Sequence, residues 1–114
     1  MARVEIDLEN MKTTNLRVIA AVAGGGVPGA ESSMLKIRGT EIRQEILSLI
    51  RRAMGVHAAP FIEEAQYEGY SDAPVGPAEA ATAAASYFNY RKLSIFGGSN
   101  EIQKNIISKM ILGL

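Results

Sequence analysis

The residues best suited to chemistry in this chain sit together in "SIFGGSNEIQ", residues 94–103. Gly97 and Gly98 permit positive φ and let another group approach the backbone closely. Ser99 and Asn100 carry side chains that cap helices, and Glu101 falls in the first turn of the apolar-periodic stretch that follows. A glycine turn feeding a helix N-terminus presents unpaired amides to a ligand. It also describes a well-capped helix, since Asn100 with Gln103 three residues later resembles a capping box. Both readings stay open on local physics. Glu101 narrows the ligand reading, because a carboxylate competes with phosphate for the same amides. A neutral or hydroxyl-bearing part of a ligand suits the turn better.

The other reactive side chains make weaker patterns. Glu68 stands between Tyr67 and Gly69 in "QYEGYSD", where a desolvated carboxylate could act as a base. The surrounding loop is polar and acidic, which favours a solvated side chain. His57 has no Ser, Cys or acid spaced with it in a catalytic pattern and reads as a surface or helix-end histidine. Arg91 precedes the glycine turn by a few residues and could pair with an anion or with the acidic loop. Metal-ligand spacing, a P-loop, a dinucleotide fingerprint and a nucleophile motif are all missing from the sequence.

Composition limits what the elements holding these residues can be. The 114 residues are 47% hydrophobic and 21% charged, ordinary for a globular domain of one core. Formal net charge is zero, which argues against nucleic acid as a partner. With no cysteine, disulfide and thiol chemistry are excluded. No apolar run approaches membrane-span length and the N-terminus is no signal peptide, so a cytoplasmic location is the expectation. Residues 53–90 hold Glu63, Glu64, Glu68, Asp72 and Glu79 with no Lys or Arg, whereas 91–114 set Arg91, Lys92, Lys104 and Lys109 against Glu101.

Periodicity predicts helices over about 2–23, 31–54, 77–92 and 99–112, with a loop over 56–76. Val4, Leu8, Met11, Val18 and Val22 form the first apolar stripe, and Leu35, Ile42, Ile46, Leu49 and Ala53 the second. Gly39 interrupts the second helix at a cost of about 1 kcal/mol relative to Ala, which points to another backbone close by. Pro77 suits a first helical position. The fold expected is all-α, an up-and-down four-helix bundle forming a single domain over 1–114. Wide apolar stripes on the outer helices and the apolar "MILGL" end point to a fragment or an oligomer rather than a self-sufficient monomer.

The tail resembles the acyl-CoA dehydrogenase family of FAD-dependent flavoproteins. The resemblance rests on Arg91, on Ile95-Phe96-Gly97-Gly98-Ser99-Asn100-Glu101-Ile102-Gln103-Lys104-Asn105-Ile106-Ile107, and on the closing Leu112-Gly113-Leu114. "PGAESSMLKIRGTEIRQEI" (28–46) and "ARVEIDLENMKTTNLRVIAA" (2–21) are similar to the two preceding helices of the family's C-terminal domain, and 56–86 is the least similar part. The resemblance implies α,β-dehydrogenation of acyl-CoA thioesters by a full-length protein with two further domains upstream. It implies FAD as cofactor, held weakly or not at all by this chain alone, with contacts from Gly98, Ser99 and Glu101 and a lesser one from Arg91. It implies an acyl-CoA substrate, an electron-transfer flavoprotein or similar acceptor, and a homo- or hetero-oligomer, dimer or tetramer. Many members carry their catalytic base directly after the aromatic of this turn, where Gly97 stands here. Proton removal is therefore expected from outside this chain, on an earlier helix, and no residue of it is assigned a catalytic or metal-binding role. The alternative is a non-catalytic helical oligomerisation module of the same fold.

Overall fold

The computed structural model describes residues 1–73 and 75–113. Pro74 of the expected loop and Leu114 of the tail motif lie outside them. Among the described residues there are four α-helices and no strand: α1 (Ala2–Ala23), α2 (Glu31–Met54), α3 (Ala80–Asn89) and α4 (Asn100–Leu112). Short 3₁₀ turns cover Gly55–Ala58, Glu64–Gln66 and Tyr90–Ser94. The chain has two compact units, one of Met1–Ile42 with Lys92–Leu114 and one of Arg43–Arg91.

In the first unit, α1 and the leading part of α2 are joined by the Arg38 guanidinium, which donates to Asp7 Oδ1 at 2.9 Å and to Glu41 Oε2 at 2.6 Å. Val4, Ile37 and Ile42 are its buried apolar residues, with Ser33 and Thr40 buried beside them. Thr40 satisfies its hydroxyl by donating to the Lys36 carbonyl at 2.9 Å, a bond available within one helical turn. Gly39 has no foreign backbone against it. A Cβ placed there would meet only the Met11 sulfur, at an ordinary contact distance of 3.6 Å. The expected backbone approach is thus replaced by a flexible methionine, whose unbranched side chain fills the gap. No residue of α4 is buried, and Ile102, Ile106, Met110, Ile111 and Leu112 are all exposed.

In the second unit, Leu47, Ala58, Ala80, Ala83 and Ala84 are buried, and α3 packs its alanine face on the 3₁₀ turn Gly55–Ala58. Alanine side chains let the two backbones approach without rotamer cost. α3 opens at Ala80 rather than at Pro77. The Pro77 carbonyl accepts from the Ala80 amide at 3.0 Å in a single turn that precedes the helix. At its other end α3 stops at Asn89 instead of running to 92, and the chain tightens into 3₁₀ form. The Gln44 side-chain amide supplies the reason, donating to the Tyr90 and Arg91 carbonyls at 3.3 and 3.2 Å and drawing them away from α-helical pairing. The expected loop over 56–76 is partly structured by the turns already named. His57 is exposed within the first of them, and a Cβ on Gly76 would fall 2.5 Å from its ring Cγ.

Candidate functional site

The turn between the 3₁₀ segment and α4 is built from both ends. Before it, the Ile95 and Phe96 amides donate to the Lys92 carbonyl at 2.9 and 3.1 Å, and the Lys92 ammonium lies 5.4 Å from the centroid of the Phe96 ring. Gly97 and Gly98 then take φ of +66° and +83°, left-handed conformations that side-chain-bearing residues adopt only at a cost. After them Ser99 returns to extended backbone, with φ −63° and ψ 158°, and becomes the N-cap of α4.

Of the two cap candidates, Ser99 takes the position. Ser99 Oγ accepts from the Ile102 amide at 3.3 Å, and the Ser99 carbonyl from the Gln103 amide at 3.0 Å. Asn100 does not cap. Its Oδ1 accepts instead from the Lys36 ammonium at 2.9 Å. Gln103 does not close a capping box either, because its side-chain amide reaches back past the cap to the Gly97 carbonyl at 3.1 Å. Gln103 thereby fills one side of the turn: a Cβ on Gly98 would lie 2.7 Å from its Nε2. A Cβ on Gly97 would meet nothing within 4 Å, so that side of the turn is open to an approaching group.

The chemistry available at this open side is that of a polar, uncharged contact. Among the described residues nothing accepts from the Asn100 amide at the start of α4. The Ser99 hydroxyl accepts within the cap and turns its own hydrogen toward the Glu101 carboxylate. Glu101 is exposed, and its carboxyl lies below its ordinary value of 4.5. The largest cause is the backbone amide at the helix start, followed by the Ser99 hydroxyl and then the positive charges of Lys104 and Lys36. It stands ionised as an acceptor for a ligand hydroxyl or amine and opposes a phosphate in the same place. Exposed Ile95 and Phe96 give the turn an apolar flank. These features suit a hydroxyl-bearing or amine-bearing part of a ligand.

The structure brings together Gly97, Gly98, Ser99 and Glu101. Arg91 belongs to the other compact unit, where its guanidinium stacks 4.5 Å from the Tyr87 ring centroid and donates to the Gln44 carbonyl at 3.3 Å. Glu68 is exposed, as a solvated loop residue should be. Gln103 and Lys36 hold the turn; the sequence offers Gln103 only as half of a capping box and gives no sign of Lys36. Lys36 lies 64 positions before Asn100, a separation no local pattern spans. Among the described residues no cluster of His, Cys, Asp or Glu could hold a metal ion, and no helix is long and apolar enough to cross a membrane.

A family model described as "Acyl-CoA dehydrogenase, C-terminal domain" matches residues 1–112 of the 114. No curated protein and no solved structure matches the chain significantly. With that match running through α1, α2, α3 and α4 and including the glycine turn, the chain belongs to the acyl-CoA dehydrogenase C-terminal domain family.

Proposed function

We propose that residues 1–114 serve as the C-terminal helical domain of an FAD-dependent acyl-CoA dehydrogenase, contributing flavin contacts and subunit packing. The observation that carries this reading is the braced glycine turn, open beside Gly97 and followed by the free Asn100 amide and the ionised Glu101. Gly98, Ser99 and Glu101 are the residues that hold the cofactor. Beside Gly98 the turn admits close approach on its open Gly97 side, Ser99 caps the helix start and holds Glu101, and Glu101 accepts from a hydroxyl or amine. Bound FAD supplies the hydride acceptor for dehydrogenation of the acyl-CoA.

The chain's own part in that chemistry is to orient and to shield. Gly97 has no side chain to take a proton, so the turn positions a ligand and leaves abstraction of the α proton to a carboxylate elsewhere in the full protein. Apolar Ile95 and Phe96 beside the turn exclude water from whatever they cover, which strengthens the polar contacts there. Alone, the chain binds FAD weakly and turns over no acyl-CoA. The exposed apolar residues of α4 favour a second reading, a helical oligomerisation module without chemistry.

Titration of FAD into the ¹⁵N-labelled chain tests the first reading. The amides of Gly98, Ser99 and Glu101 should move ahead of all others, with half-saturation at high micromolar FAD or above. A dye-linked assay with acyl-CoA should stay flat. Shifts confined to α1 or to the second compact unit would remove the flavin reading and leave the oligomerisation module. Robust turnover would overturn the assignment of the base to another part of the protein.

A further inference from the structure

Two consecutive glycines at positive φ leave the turn with more backbone freedom than any other pair of residues would, and freezing that freedom is costly. Something outside the turn must hold it, and the holder comes from α2. The Lys36 ammonium donates to the Leu93 carbonyl at 3.3 Å and to Asn100 Oδ1 at 2.9 Å. Residue 93 precedes the glycines and residue 100 follows them, so one cation ties the two ends of the reversal together. The Thr40 hydroxyl, one helical turn along α2, stands 3.4 Å from the same Leu93 carbonyl.

An ammonium suits this task. It offers three donors and no acceptor, so a carbonyl and an amide oxygen can share it. Both bonds are charge-assisted and stronger than neutral ones. Lys36 is half-buried and Thr40 buried, so solvent competes poorly for the Leu93 carbonyl. Gln103 braces the turn from inside through the Gly97 carbonyl, whereas Lys36 fixes where the whole turn sits against α2.

We propose that Lys36 is the positioning residue of the glycine turn: by tying residues 93 and 100 it sets where residues 97–99 present their backbone to a flavin. This role rests on the flavin reading given above. Lys36 makes no contact with the ligand in it and acts through the turn alone. Its charge also reaches the start of α4, where it joins the helix amide, Ser99 and Lys104 in holding the Glu101 carboxyl low.

The test compares the wild-type chain with K36M, K36R and, as a surface control, K12M. Three quantities are followed by NMR: amide exchange at Phe96 and Ile102, titration of the Glu101 carboxyl, and the FAD concentration that half-shifts the Gly97 and Gly98 amides. Loss of two charge-assisted bonds in K36M should accelerate exchange at Phe96 and Ile102 roughly tenfold, with α1 amides unchanged. Glu101 should titrate higher in K36M, and FAD half-saturation should rise about fivefold or more, in keeping with the same lost bonds. K36R should restore the Glu101 titration and most of the FAD response, which a purely space-filling role would not predict. Should K36M fail to fold, K36Q carries the same expectations for charge and affinity. FAD binding and exchange in K36M equal to wild type would overturn the role of Lys36 while leaving the flavin reading standing. Absence of any FAD response at residues 97–99 in the wild type would overturn the flavin reading, and with it the ligand side of this role.

Discussion

Ser99 does two things at once, and the two can be separated by measurement. As N-cap it satisfies the Ile102 amide, so Ser99→Ala should lower stability by about 1 kcal/mol in urea denaturation. Ser99→Asp should retain the cap but place a second carboxylate beside Glu101, so it should keep stability near neutral pH while weakening FAD. Glu101 itself gives a pH signature. Its folded carboxyl lies below the ordinary 4.5, so ionisation favours the folded chain above that value, and the benefit disappears as pH falls through the folded value. Compared with Glu101→Gln, the wild type should therefore gain relative stability from acid pH up to neutral and show no advantage at the acid end. At this scale the sequence reveals much, because a cap, a glycine pair and a first-turn acid are local devices. It could not tell Ser99 from Asn100 as the cap. Both residue types cap equally well, and the choice is made by Lys36 taking the Asn100 side chain.

Helix ends are marked in the sequence wherever glycine marks them. Gly24, Gly25 and Gly26 follow the last residue of α1, Gly55 follows α2, and the turn glycines precede α4. The limits of α3 carry no such mark. An alanine run has no apolar period to show where burial begins, and the shift to 3₁₀ geometry after Asn89 depends on Gln44, a residue of another helix. Burial along α2 is likewise only half visible. Ile42 belongs to the expected stripe, but Ile37, Thr40 and Leu47 are buried outside it. That helix serves different neighbours along its length and so has no single inward face. Gly39 yields the prediction proper to this scale. A Cβ there finds only the Met11 sulfur at 3.6 Å, so Gly39→Ala should raise stability by about 0.5–1 kcal/mol through helix propensity and a less free unfolded chain. Thermal melting checks the sign, and a loss would mean that the methionine cannot yield.

At the scale of the molecule, among the described residues, apolar side chains left exposed outnumber those in the buried core. The buried apolar side chains are Val4, Ile37, Ile42, Leu47 and four alanines, whereas α4 alone exposes Ile102, Ile106, Met110, Ile111 and Leu112. Light scattering should therefore report a mass above that of one chain, and Met110→Lys should lower it without shifting the far-UV circular dichroism. An unchanged mass would point to another surface. All-helical character and family are legible from sequence at this scale. The division at Ile42 and Arg43 is not, because it falls inside the continuous helix α2, where no punctuation residue stands. The tie from Lys36 to Leu93 and Asn100 has one more consequence, for the order in which the chain becomes structured. Leu93 and Asn100 follow Lys36 by 57 and 64 positions, so a ribosome delivers the lysine long before the turn it holds. A synthetic peptide of residues 90–114 would lack that lysine, and its 13-residue helix is too short to persist by itself in water. Such a peptide should give a largely coil spectrum, and helix should return when a second peptide carrying residues 28–54 is added.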